Sequence, residues 1–229
     1  MITIRKSSDR GHFDHGWLNT YHTFSFGGYR DPAHTRFRTL RVINEDFVSP
    51  GMGFAPHGHD NMEILTYIVE GELAHKDSTG SAATIRPGDI QRMSAGSGIQ
   101  HSEFNPSREN PVHLLQIWIF PEKKDVEPGY EEKHFDRDSR RNRFRLVASP
   151  EGAEGSVKIG QDAAVLDAGK SVTHAIGPGR GVWLQLIKGE VTVNGQAMKP
   201  GDGARIEDEP EVEIVAGGKE AELVAFDLG

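Results

Sequence analysis

Short runs rich in β-branched and aromatic residues recur along the chain between turn signals: Thr39–Asn44, Ile64–Val69, Ala82–Ile85, Val112–Phe120, Val157–Ile159, Val182–Ile187, Glu190–Val193, Val212–Val215 and Ala221–Phe226. Their length and spacing predict an all-β barrel or sandwich. No stretch of twelve or more residues holds a period of 3.6, so helix is expected to be minor, with short polar candidates around Asp162–Leu166.

The pattern also repeats. Ile68-Val69-Glu70-Gly71-Glu72-Leu73 followed by Arg86-Pro87-Gly88-Asp89 returns as Ile187-Lys188-Gly189-Glu190-Val191 followed by Lys199-Pro200-Gly201-Asp202. Each copy reads as an apolar strand, a glycine where the chain turns, a return strand and a Pro-Gly-Asp turn. Two copies of one β unit are implied, residues 1–134 and residues 135–229. The charged segment Pro121–Pro150 lacks apolar periodicity and is expected to connect them.

Composition narrows the function. Lys and Arg total 26 against 34 Asp and Glu, a net charge of -8, which is the wrong sign for holding nucleic acid or anionic lipid through bulk charge. Cysteine is absent, which excludes disulfide scaffolds, thiolate metal sites and Cys nucleophiles. Met1–Trp17 lacks the apolar run of a signal peptide, and no stretch of about 18 apolar residues suggests a membrane span. The expectation is a cytoplasmic protein. Arg137–Arg145 holds five arginines in nine residues, a candidate contact for an acidic partner or phosphate, although such a run is more often a solvated loop or an interdomain strap.

Candidate chemistry lies in the histidines. His57 and His59 are two apart, so in an extended strand both project from one face. A second pair with the same spacing, His101 and Glu103, follows the turn Gly96-Ser97-Gly98. On facing strands the two pairs would supply three imidazoles and one carboxylate to one metal ion, leaving about two positions of an octahedron open.

The order Gly51-x5-His57-x-His59-x3-Glu63, then Gly98-x2-His101-x3-Asn105, resembles the two motifs of the cupin superfamily. More narrowly, His22-Thr-Phe-Ser-Phe-Gly-Gly-Tyr29, Pro56-His-Gly-His-Asp-Asn-Met-Glu63 and Ser94-Ala-Gly-Ser-Gly-Ile-Gln-His-Ser-Glu103 resemble a pirin. The resemblance implies a bicupin, two tandem double-stranded β-helix (jelly-roll-like) barrels, with one metal ion per chain, iron, on His57, His59, His101 and Glu103. It departs from the usual cupin motifs in two respects, one being Gly96 where the second motif often has proline, which affects turn stiffness more than ligation. Seven residues, not six, separate Glu63 from Gly71, and a one-residue slip turns a side chain to the other face unless a bulge absorbs it. Glu103 is therefore expected as the carboxylate ligand, with Glu63 orienting an imidazole from behind.

His12, His15, His22, His34, His75 and His134 are scattered and are expected to be surface or hydrogen-bonding residues, and His113, which alternates with core-facing positions, is expected to be structural. Phe47, Met52, Phe54, Met93, Phe104 and Phe120 are candidates for an apolar pocket beside the metal. In the second half, equivalent positions hold Ala175, Gly177, Ile214 and Ala216, with only His174 near, so that half is expected to be metal-free. Three His and one Glu suit Fe(II), Mn, Ni, Co, Cu or Zn. The resemblance implies a dioxygenase that opens the central ring of flavonols such as quercetin with dioxygen, Glu103 acting as base. It also leaves a second class of function, a metal- or redox-dependent regulator of transcription or of a partner enzyme.

Overall fold

The computed structural model describes residues 1–158, 162–168, 171–218 and 220–229. It divides into two compact units, one of residues 11–134 and one of residues 1–10 with 135–229. The first ten residues belong to the second unit because β1 (Ile2–Arg5) pairs there, Ile4 opposite Ala204.

The unit of residues 11–134 holds β2 (Gly11–Asp14), β3 (Leu18–His22), β4 (Leu40–Val48), β5 (Gly53–His59), β6 (Glu63–Glu70), β7 (Leu73–Asp77), β8 (Ala82–Ile85), β9 (Asp89–Ser94), β10 (Ile99–Phe104), β11 (Val112–Ile119) and β12 (Gly129–His134). They form a seven-stranded sheet, β12-β9-β6-β11-β4-β3-β2, and a four-stranded sheet, β5-β10-β7-β8. Leu73 and Ile85 from the smaller sheet pack with Val48, Ile68, Val112 and Leu114 from the larger one, so the core lies between the sheets. This is the double-layered β architecture that the strand pattern predicts.

The second unit continues with α1 (Arg137–Arg140), β13 (Arg145–Ser149), β14 (Val157–Lys158), β15 (Asp162–Ala168), β16 (Ser171–Ala175), β17 (Gly181–Lys188), β18 (Val191–Val193), β19 (Gln196–Met198), β20 (Gly203–Glu207), β21 (Glu211–Ala216) and β22 (Ala221–Leu228). Its sheets run β1-β20-β17-β22-β15-β13-β14 and β16-β21-β18-β19. The inner order β9-β6-β11-β4-β3 recurs as β20-β17-β22-β15-β13 and β5-β10-β7-β8 recurs as β16-β21-β18-β19, so the short sequence repeat marks a repeat of the core topology, while the edges differ, β14 running parallel to β13 where β2 runs antiparallel to β3. Gly71 and Gly189, at matching turns, both take positive φ, 82° and 78°. A Cβ would lie 2.9 Å from the Pro111 carbonyl oxygen in one and 2.5 Å from that of Glu220 in the other, so only glycine fits either turn.

Three expectations are corrected. Residues Asp162–Leu166 are not helical but lie in β15, paired antiparallel with β22, where tertiary pairing overrides local polarity. The charged segment expected only to connect the halves also builds the first sheet, since Gly129–His134 adds a strand to β9. The arginine run does not stand free: Arg137 and Arg141 meet Glu220, Arg140 lies 3.8 Å from Glu222, and Arg145 lies 3.2 Å from Glu154. Ile159, the expected end of one strand, lies outside the described residues. Among the described residues no helix is long and apolar enough to cross a membrane.

Candidate metal centre

The three histidines of the two ligand pairs meet on neighbouring strands of the smaller sheet. β10 runs antiparallel to β5 with His101 opposite His57 and Ile99 opposite His59. Between His101 and Glu103 the register shifts, because Glu103 faces Phe54, three residues before His57. The extra residue is a β-bulge at Ala55-Pro56, where proline offers no ladder donor. On its other edge β10 pairs with β7, setting Asp77 beside His101 and His75 beside Glu103.

His101 Nε2 lies 3.0 Å from His59 Nε2 and 3.0 Å from His57 Nε2. His57 Nδ1 donates to the Ala55 carbonyl at 2.8 Å, which fixes its tautomer and leaves the Nε2 lone pair turned toward the cluster. Burial, then the neighbouring His57, pushes His59 down to about 4. Burial, then His57, His59 and His75, pushes His101 down to about 3. Both rings are therefore neutral near pH 7. With His57 Nε2 already an acceptor, the other two nitrogens can at best share a proton with it, whereas a cation accepts all three lone pairs at once. The donor set thus fits a divalent metal ion.

Glu103 is 3 % exposed. Gln116 Nε2 donates to its two oxygens at 3.3 and 3.1 Å, and Thr66 Oγ1 lies 3.4 Å from Oε1. Burial pushes Glu103 up to about 7, hydrogen bonds from Gln116 and Thr66 opposing and the nearby Asp46 carboxylate adding to the rise. The structure groups possible metal-ligating atoms as two trios sharing His101, one with His57 and His59 and the other with His75 and Glu103. His75 is 2 % exposed, with Gln91 Nε2 3.4 Å from its Nδ1 and Asp77 Oδ2 3.1 Å from its Nε2. The amide donates to Nδ1, so Nε2 carries the proton and donates to Asp77; His75 buttresses His101 rather than offering a lone pair.

Glu63 does not orient an imidazole. Its carboxyl accepts from Ser94 Oγ, and Arg92 lies 4.0 Å away. The apolar surroundings also differ from expectation. Phe47 stacks on His113, Met93 is core, and Met52 and Phe104 are exposed. Phe54 does approach His57, with ring centres 6.3 Å apart. The residue packed against His59 is Trp118, edge-on at 4.9 Å.

Four neighbours of the cluster escape a reading by ligand pairs: His75, Gln116, Asp46 and Trp118. A signal for some of them exists, since His75-x-Asp77 repeats the i,i+2 spacing, and Asn44, Asp46 and Gln116 are polar residues inside apolar strands.

Comparison with known proteins now bears on this geometry. The family model described as Pirin matches residues 3–119, and one described as Quercetinase C-terminal cupin domain matches residues 146–228. A protein of Escherichia coli (strain K12) named quercetin 2,3-dioxygenase is 46% identical over 233 residues, covering 100% of this chain and 99% of the relative. The crystal structure of YhhW from Escherichia coli superposes with a TM-score of 0.96 at 44% identity, over 100% of this chain and 98% of that one. A crystal structure of bacterial pirin YhhW in complex with nickel(II) gives 0.92 at 43% identity, over 100% and 99%.

Proposed function

The chain belongs to the pirin family, and from that premise we propose that its first cupin holds one divalent metal ion, Fe(II), on His57, His59, His101 and Glu103. The proposed reaction is the opening of the central ring of flavonols such as quercetin by dioxygen. The observation that carries this reading is the convergence of three imidazole nitrogens, 3.0 Å apart about His101, in a chain 46% identical along its whole length to a protein named quercetin 2,3-dioxygenase.

His57, His59, His101 and Glu103 would hold the ion through three imidazole nitrogens and a carboxylate. When bound there, the ion supplies a Lewis acid for the 3-hydroxyl/4-carbonyl edge of the flavonol and redox chemistry toward dioxygen.

The protein's own groups do the rest. The His57 bond to the Ala55 carbonyl holds that ring's lone pair in place. Gln116 and Thr66 restrain the Glu103 carboxylate, which accepts the 3-hydroxyl proton of the flavonol on one oxygen. Trp118 packs edge-on against His59 and restrains that ring. Across the reaction both atoms of dioxygen enter the organic product, and one ring carbon leaves as carbon monoxide. Residues 135–229 are proposed to form a cupin without a metal, since Ile214, one of its equivalent positions, is a core residue. The cytoplasm is the proposed compartment, in keeping with a cysteine-free chain.

The test is turnover by protein loaded anaerobically with Fe(II). Quercetin absorbance should fall with stoichiometric oxygen uptake and carbon monoxide release. A rate no greater than that of His101→Ala would overturn the reading.

A further inference from the structure

Beside the metal centre, a cavity of about 720 Å³ has walls of two kinds. Phe26, Trp118 and Phe120 supply aromatic faces, and Arg30, Arg36 and Arg41 supply guanidinium groups. Trp118 belongs to both sites, touching His59 at 4.9 Å and Phe26 edge-on at 5.2 Å.

None of the three arginines makes an ion pair among the described residues. Arg30 Nη1 donates to the Gly27 and Tyr29 carbonyls at 2.6 and 3.0 Å, and Arg41 Nη1 to those of Ser25 and Thr35 at 2.7 and 3.1 Å. Those bonds fix the side chains without neutralising them. Arg36 lies over the Phe120 ring at 5.7 Å. Burial, then Arg30 and Arg36, lowers the pKa of Arg41, so the three charges are close enough to repel. Asp31, which also lines the cavity, is engaged by His34 Nδ1 at 2.7 Å and Tyr29 Oη at 3.2 Å.

Clustered like charge costs free energy in the empty protein and is recovered only when an anion joins it. A planar guanidinium matches a carboxylate through two parallel hydrogen bonds, and aromatic faces select a flat ring. Trp118 Nε1, buried, has no acceptor among the described residues.

We propose that this cavity binds an aromatic carboxylate, its ring against Trp118 and Phe120 and its carboxylate on the forks of Arg36 and Arg41. The inference rests on the proposed function in one respect: ring opening of a flavonol with loss of carbon monoxide leaves an aromatic carboxylate, made next to Trp118. The cavity would then receive the product and bind it more tightly than the uncharged substrate.

Calorimetry on metal-free protein tests this with 2-naphthoate as the probe, 2-naphthamide as its uncharged isostere and inorganic sulfate as an anion without a ring. Because no turnover is involved, a failed quercetin assay and a failed binding assay are separate results. The naphthoate should bind about tenfold more tightly than the amide, and Arg36→Ala should weaken it about fivefold or more. Arg36→Lys, which keeps charge but loses the fork, should fall between. Arg36 is exposed and lies outside the strands, and circular dichroism of each variant checks that the fold is kept. Equal binding of naphthoate and amide, equal binding of sulfate, or indifference to Arg36→Ala would overturn the proposal. So would naphthoate binding that appears only in metal-loaded protein, because the ligand would then sit on the metal.

Discussion

Asp46→Asn is the most informative single change in the metal-free protein. Asp46 lies in β4, is 4 % exposed, and its Oδ1 is buried without a partner among the described residues. Burial pushes its pKa from 3.8 up to about 6, with a Thr20 hydrogen bond opposing and Glu45 adding to the rise. A folded pKa above the unfolded one means that the folded chain holds more protons through that window, so stability is greatest at low pH and is lost as pH rises from about 4 through about 6. At about 1.4 kcal/mol per pH unit the loss approaches about 3 kcal/mol. Asparagine does not titrate, so the variant should gain on the wild type by about 3 kcal/mol at pH 8 and only about 1 kcal/mol at pH 4.5. Histidines pushed down by burial, His22, His59 and His101, contribute with the opposite sign. The comparison of variant and wild type cancels most of that. Urea unfolding in chelator should be followed by tryptophan fluorescence in a Trp183→Phe background, leaving Trp17 and Trp118 to report on residues 11–134. A stability difference independent of pH, or one that shrinks as pH rises, would refute the reasoning.

Three other expectations concern the metal centre. His59→Ala and His101→Ala should each lower bound metal, measured by atomic spectroscopy, to about a tenth or less while circular dichroism stays β-rich, because two imidazoles and a carboxylate hold a divalent ion far less tightly than the full set. Glu103→Gln should weaken metal binding and turnover, whereas Glu63→Gln, which changes only contacts to Ser94 and Arg92, should leave metal near stoichiometric; the reverse order would make Glu63 the ligand. Gly53→Ala should destabilise the first unit by about 3 kcal/mol and impair metal binding, because a Cβ there overlaps the Glu103 carbonyl oxygen and lies 2.6 Å from Phe104 Cα; calorimetric unfolding of the variant measures it.

What the sequence by itself determined was set by local periodicity. Apolar strands such as Glu63–Glu70 and Val112–Ile119 announce themselves by β-branched runs, and the glycine-turn grammar around Gly71 and Gly189 marks the duplication that the two matching sheet orders complete. His57, His59, His101 and Glu103 are legible as pairs because residues two apart share a strand face whatever the rest of the fold does. Tertiary structure decided everything that depends on which strand lies beside which. Gly129–His134 reads as a charged linker until β9 pairs with it, and Asp162–Leu166 reads as a short polar helix until β22 does. Gln116, Thr66 and Asp46 surround Glu103 from three other strands, and His75 reaches His101 across the sheet. Arg30 and Arg36, from the loop before β4, a segment without periodicity, converge with Arg41 at the start of β4. A buried polar group needs a partner, but its partner is chosen by pairing between distant segments, and that pairing is written in contacts rather than in spacing.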